Sequence, residues 1–120
     1  MVKAAIFRDP AGEPVGFSLE GHAGFARKGK DIVCAAVSAL AIGTVNGIEQ
    51  LTEARFSLEE GKNGGRLVFR LKEPSAEAGL LLSSFFLALE EIRREYGGRY
   101  IQISSKEVDY NENGPSVLCS

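Results

Sequence analysis

Apolar and polar positions along the chain fall into two kinds of run. Short apolar-rich runs bounded by turn residues read as strands: residues 2–9, Pro14–Glu20, Ala54–Glu59, Arg66–Lys72 and Tyr100–Val108. Turn chemistry separates them at Asp9-Pro10-Ala11-Gly12-Glu13 and at Gly61-Lys62-Asn63-Gly64-Gly65. Two longer runs read as helices. The first spans residue 31 to about residue 52. The second opens at Pro74-Ser75 and stops before Gly97-Gly98. The predicted order is ββαββαβ: an α+β domain of two layers, with two helices against one mainly antiparallel sheet. It covers residues 1–108, and residues 109–120 read as an irregular tail rich in Asn, Gly and Pro.

Each helix shows a face. In the first, Ala35, Ala39, Gly43 and Gly47 recur every four residues, and the favoured expectation is that this smooth stripe packs on the sheet. In the second, Ala78, Leu81, Leu82, Phe85, Leu89, Ile92 and Tyr96 form the core stripe. Leu80, Phe86 and Leu87 widen that surface beyond what two layers bury, which points to a second subunit and so to a homodimer.

Composition bounds the function classes. The chain has 120 residues, 44% hydrophobic and 25% charged, which suits one soluble domain with one core. A net charge of −2 disfavours a general nucleic-acid binder, so no direct nucleic-acid partner is expected. The N-terminus lacks the apolar run of a secretory signal. The longest apolar stretch, Ile32 to Gly43, is too short to span a bilayer. The expectation is a cytoplasmic protein, not membrane-bound, with reduced thiols. One histidine and two distant cysteines do not form a zinc site, so neither metal nor cofactor is expected.

The candidate chemistry lies between His22, the only histidine, and Cys34. A cysteine nucleophile needs a base, and histidine titrates nearest neutral pH. The intervening Gly21, Gly24 and Gly29, with basic Arg27, Lys28 and Lys30, read as a flexible loop. Asp31 is the expected N-cap of the first helix, which makes Cys34 its third residue. There a thiolate feels the positive end of the helix dipole. That end supplies about 0.3–1 kcal/mol. Lowering a thiol's pKa by two units takes about 2.7 kcal/mol, and a protonated His22 beside the sulfur, helped by Arg27, Lys28 or Lys30, could make up the difference. Physics alone leaves two readings open, a nucleophile or an inert core thiol, and the burial habit of cysteine favours the second. Ser38, on the same helix face, either serves the site or bonds back to the Cys34 carbonyl.

Gly24 to Lys30 also fits the G-x-x-x-x-G-K spacing of a phosphate-binding loop. The next residue should be Ser or Thr. It is Asp31, whose charge repels phosphate, and the loop follows an expected hairpin, so nucleotide binding is disfavoured. Glu59-Glu60 and Glu90-Glu91 read as solvated faces, and Cys119 as a bystander.

The stretch Gly21-His22-Ala23-Gly24-Phe25-Ala26, followed by Gly29-Lys30-Asp31-Ile32-Val33-Cys34-Ala35-Ala36-Val37-Ser38, resembles the signature of the ribosomal-processing cysteine protease family Prp. The resemblance covers roughly residues 1–108. It implies a homodimeric cysteine endopeptidase of the bacterial cytoplasm. Such an enzyme removes the N-terminal extension of a large-subunit ribosomal protein during ribosome biogenesis. It implies Cys34 as nucleophile and His22 as general base. Under this reading Asp31 orients His22 or simply caps the helix, and the N–H groups of Val33 and Cys34 face the oxyanion. Gly21, Gly24, Phe25, Arg27, Lys28, Gly29 and Lys30 would form a substrate loop. An apolar groove beside Cys34 would take aromatic residues that precede the cut. The competing class is a non-catalytic module that binds a ribosomal protein or RNA.

Overall fold

The structure, a computed structural model, describes residues 1–21, 32–61 and 65–110. Over them the order is β1 (Val2–Arg8), β2 (Pro14–Glu20), α1 (Ile32–Leu51), β3 (Phe56–Glu60), β4 (Arg66–Leu71), α2 (Ala76–Tyr96) and β5 (Ile101–Glu107). The predicted ββαββαβ order holds. The five strands form one sheet in the order β3-β4-β2-β1-β5. All pairs are antiparallel except β1 with β5.

Local chemistry explains the boundaries. The Asp9 carboxylate accepts the Ala11 and Glu13 amides, both at 2.9 Å, and closes the β1–β2 turn. Ser75 sits in extended backbone as the N-cap of α2, and its hydroxyl accepts from the Ala78 amide at 3.2 Å. At the other end, Gly97 has a positive φ of 100° and donates its N–H to the Arg93 carbonyl at 2.8 Å.

Alternation along the strands puts one set of side chains under both helices. Phe17, Leu19, Leu67, Phe69, Leu71 and Ile101 form the sheet side of the core. Val33, Val37, Ala41, Val45 and Ile48 of α1 and Ala78, Leu82, Phe85, Phe86 and Leu89 of α2 close it from above. Phe17 is fully buried, stacked on Phe69 at 5.5 Å between ring centroids and tilted against Phe85 at 4.7 Å.

Three expectations about the helices need correction. The small stripe does not pack on the sheet: Ala35, Ala39 and Gly43 are exposed, and a Cβ on Gly43 would meet nothing within 4 Å. The packing face of α1 is the valine stripe two residues out of phase, because larger side chains bury more apolar area. Tyr96, the last residue of α2, is exposed rather than core. The whole of α1 is 20 residues with a mean hydropathy of 1.7, so length and composition alone would allow a span. Its valine face is instead the lid of the core.

Among the described residues the opposite face of the sheet carries no helix. There Phe7, Val15, Val68 and Val108 form a small cluster, and Tyr110 packs on it. The chain crosses this face just after β5, held by the Val108 amide on the Arg8 carbonyl at 2.8 Å. The buried Arg70 guanidinium donates to the Asp109 carbonyl. Burial first, then the carboxylates of Asp9 and Glu13, push the Tyr110 phenol above its ordinary pKa.

Because Phe17 touches both layers, Phe17→Ala should lower stability by about 3–5 kcal/mol. Urea unfolding followed by circular dichroism measures it.

Candidate active site

β2 ends where three parts of the chain meet. The Gly21 amide donates to the Gly65 carbonyl at 2.9 Å, tying β2 to the start of β4. Gly21 has a positive φ of 78°, and a Cβ there would sit 2.4 Å from the Met1 carbonyl oxygen. Only glycine satisfies both demands. Gly21, read from sequence as part of a mobile loop, is thus an anchored residue with a backbone reason for its identity.

Residues 22–31 lie outside the described residues. They include His22, Gly24, Phe25, Arg27, Lys28, Gly29, Lys30 and Asp31, so the loop, the cap and the near-miss phosphate motif are not located. Cys119 also lies outside them. The chain is described again from Ile32, the first residue of α1. Cys34 is therefore the third helical residue, as the sequence predicted.

Cys34 is 9% exposed and belongs to the main core cluster, next in sequence to Val33. It sits at the open end of that cluster, since Ile32 is 56% exposed. Burial alone suits an inert thiol, whereas position at a helix start suits a nucleophile.

Ser38, one turn along, is half-buried and lines a pocket of about 60 Å³ with Leu19, Ala41, Ile42, Glu60, Arg66 and Leu67. Glu60 was read as merely solvated. It is exposed, but it stands on the helix-facing side of β3, paired with Leu67. Glu20 and Arg66, at the same end of the sheet, form an ion pair at 3.5 Å. Neither Glu20 nor Arg66 is marked as a site residue by the sequence. Strand alternation was the one signal that could have placed Glu60. A larger groove of about 740 Å³ lies around β5, lined by Lys3, Ser18, Gln102, Ser104 and Lys106 among others, and Cys34 is not part of it. Among the described residues no three His, Cys, Asp or Glu side chains cluster as metal ligands.

Residues 1–102 match the family described as cysteine protease Prp. The chain belongs to that family. A ribosomal processing cysteine protease Prp from Bacillus subtilis is 37% identical over 101 residues, covering 80% of this chain and 90% of the relative. The Prp of Staphylococcus aureus strain Mu50 is 34% identical over 97 residues, covering 80% and 92%. A crystal structure of the essential ribosomal processing protease Prp from S. aureus, with a covalently linked product peptide, superposes with a TM-score of 0.79 at 33% identity, covering 88% of this chain and all of that one. The same S. aureus protease with a substrate peptide gives a TM-score of 0.77 at 30% identity, over the same shares of the two chains. The Prp match ends at residue 102, and Cys34 is the only cysteine inside it.

Gly21→Ala should cost about 1–3 kcal/mol from the strained φ, and more from the clash with Met1. Gly12→Ala is the control, since Gly12 shares the positive φ, at 87°, but has open space around it. Thermal unfolding should show the larger loss for Gly21→Ala.

Proposed function

We propose that this chain is a cysteine endopeptidase that removes the N-terminal extension of a large-subunit ribosomal protein, with Cys34 as nucleophile and His22 as general base. One observation carries the assignment of residues. A cysteine protease needs a reactive thiol, and the Prp match contains one cysteine and one histidine. The position of Cys34 as third residue of α1 supports it. The names of the relatives support the substrate class.

His22 takes the thiol proton, and the Cys34 sulfur attacks the scissile carbonyl. The oxyanion faces the amides of Val33 and Cys34 at the helix start. His22 then passes the proton to the leaving amine, and a thioester remains. Water attacks that thioester, releases the carboxylate and returns the thiol. In this reading Asp31 either orients His22 or caps α1. Gly21, Gly24, Phe25, Arg27, Lys28, Gly29 and Lys30 present the substrate, with Ser38 behind the nucleophile. No metal or cofactor is needed for these steps. The enzyme works in the cytoplasm, as a domain of residues 1–108.

The working form is a homodimer. Leu80 and Leu87 lie two turns apart on one face of α2, 72% and 64% exposed. Sedimentation should give a dimer for the wild type and a monomer for Leu80→Asp with Leu87→Asp.

Incubation with the ribosomal protein precursor, read by mass spectrometry, tests the activity. Wild type should cut one bond near the N-terminus. Cys34→Ala and His22→Ala should each lose at least a thousandfold in rate while folding is retained. Cleavage that persists in Cys34→Ala, or none by wild type, overturns the proposal and favours the binding-module reading.

A further inference from the structure

The outer face of the sheet, opposite the helices, is arranged in rows across the strands. Arg66, Glu20, Lys3 and Gln102 are cross-strand partners and form a polar row at one end. Val68, Ser18, Ala5 and Ser104 form the next row. Arg70, Gly16, Phe7 and Lys106 form the third, and Asp109 and Tyr110 lie on it through Arg70 and the Phe7 cluster. The small side chains of Ser18, Ala5 and Ser104 floor a groove of about 740 Å³, which continues round the β5 edge to Glu90 and Arg93 of α2. A polar open face is ordinary for an antiparallel sheet, so the groove by itself calls for no occupant. Arg70 does. It is only 5% exposed, and its Nη2 donates to the Asp109 carbonyl. Its buried Nη1 has no hydrogen-bond partner among the described residues. No ion pair joins it to a described carboxylate, Asp9 and Glu13 included, although both are near enough to act on Tyr110. A buried guanidinium held by one carbonyl leaves a positive charge without a counter-charge, which is costly.

We propose that residues 111–120 of this chain lie as a strap across the outer face, with the Glu112 carboxylate on Arg70 Nη1 and the segment after Pro115 along the row of Ser18, Ala5 and Ser104. This strap does not depend on the protease reading. Residues 111–120 lie outside the described residues and follow directly on Tyr110. Glu112 is the only charged residue among them. It stands three residues after Asp109, the spacing of a β-turn, and Asn111 in the third place suits turn types that need a positive φ there. Such a turn brings the Asp109 carbonyl and the Glu112 carboxylate to one guanidinium, whose two terminal nitrogens each donate to an oxygen.

Length and position fit the strap. From β4, which carries Arg70, to β5 is three strand spacings, about 14 Å. Pro115 to Ser120 fully extended covers about 16 Å. Asn113-Gly114-Pro115 supplies a second turn that sends the chain back over the face, and Val117 and Leu118 bring apolar side chains to Ala5 on the floor. Tyr110 already sits on this face. The effective concentration of the strap there is therefore of millimolar order, which a separate partner would have to match. A charged polymer is a poorer occupant, because Arg66, Glu20 and Lys3 alternate in sign along the groove. The Prp match stops at residue 102, so the strap lies beyond the matched domain.

The test uses the full chain with Cys34→Ala, which leaves Cys119 as the only cysteine to carry a nitroxide spin label. In NMR spectra of the isotope-labelled protein, the amide signals of Ala5, Ser18 and Ser104 should be broadened, and those of Ile42 on α1 and Leu87 on α2 should not. Glu112→Gln should remove that broadening. Without the spin label, the same change should raise the unfolding equilibrium constant about tenfold in urea titrations, as the loss of a buried hydrogen bond to a charged group does. In the Arg70→Met background it should change that constant less than twofold. Glu107→Gln, at an exposed glutamate that ends β5, is the control and should alter neither readout. Broadening that spreads evenly over the molecule, or that Glu112→Gln leaves in place, overturns the strap. So does an unfolding constant that Glu112→Gln leaves within twofold. In a mixture of isotope-labelled chains and spin-labelled chains, broadening between molecules would put the segment on a second copy and overturn it as well. If Arg70→Met does not fold, Glu112→Gln decides alone, since it changes no described residue.

Discussion

The seating of α1 on the sheet is the contact on which the rest depends. Val33, Val37, Ala41, Val45 and Ile48 lie along one side of the helix and pack on Leu19, Leu67, Phe69 and Leu71. That packing fixes the rotation of the helix about its axis. Once Val33 and Val37 point into the core, Cys34 must stand at its open end, and Ser38 and Ile42 must face the β3 edge. Cys34 is thus held by apolar packing two residues from the first residue of α1, where a helix leaves backbone N–H groups available to an anion. A site built on a packed helix is held more rigidly than one built on a loop.

The other anchor is Gly21. It ends β2 in a conformation and a space that only glycine fits, against Met1 and Gly65. The end of β2 therefore lies beside the start of β4, at the same end of the sheet as Glu20, Arg66 and the pocket. This arrangement holds Gly21 and Cys34, the described residues that flank the histidine segment, on the sheet and in the core. It also accounts for the lack of symmetry between the faces of the sheet. One face is spent on the two helices that hold the site, and the other is closed by Val108 and Tyr110.

Most of this was legible in the sequence because local chemistry punctuates it. The Asp9 turn, the Ser75 cap and Gly97 mark boundaries that need no tertiary knowledge. The match of residues 1–102 to Prp bears out the family resemblance carried by residues 21–38. The orientation of α1 was not legible. Its run is apolar nearly all round, so alanine, glycine and valine stripes compete, and the stripe of smaller residues was taken for the packing face. The valine stripe wins because it buries more surface. Glu60 escaped notice for a different reason. A glutamate at a strand end looks solvated until strand register and helix placement set it across from Ser38.

The central claim is that the Cys34 sulfur forms the covalent bond to substrate. Rapid quenching of the enzyme with the ribosomal protein precursor, followed by tryptic mapping, tests it directly. The account predicts a transient thioester that joins the N-terminal extension to the peptide carrying Cys34, absent in Cys34→Ala and lost on treatment with hydroxylamine. Steady cleavage with the extension attached to any other residue, or with no covalent species at any time even when deacylation is slowed by low pH, would contradict it.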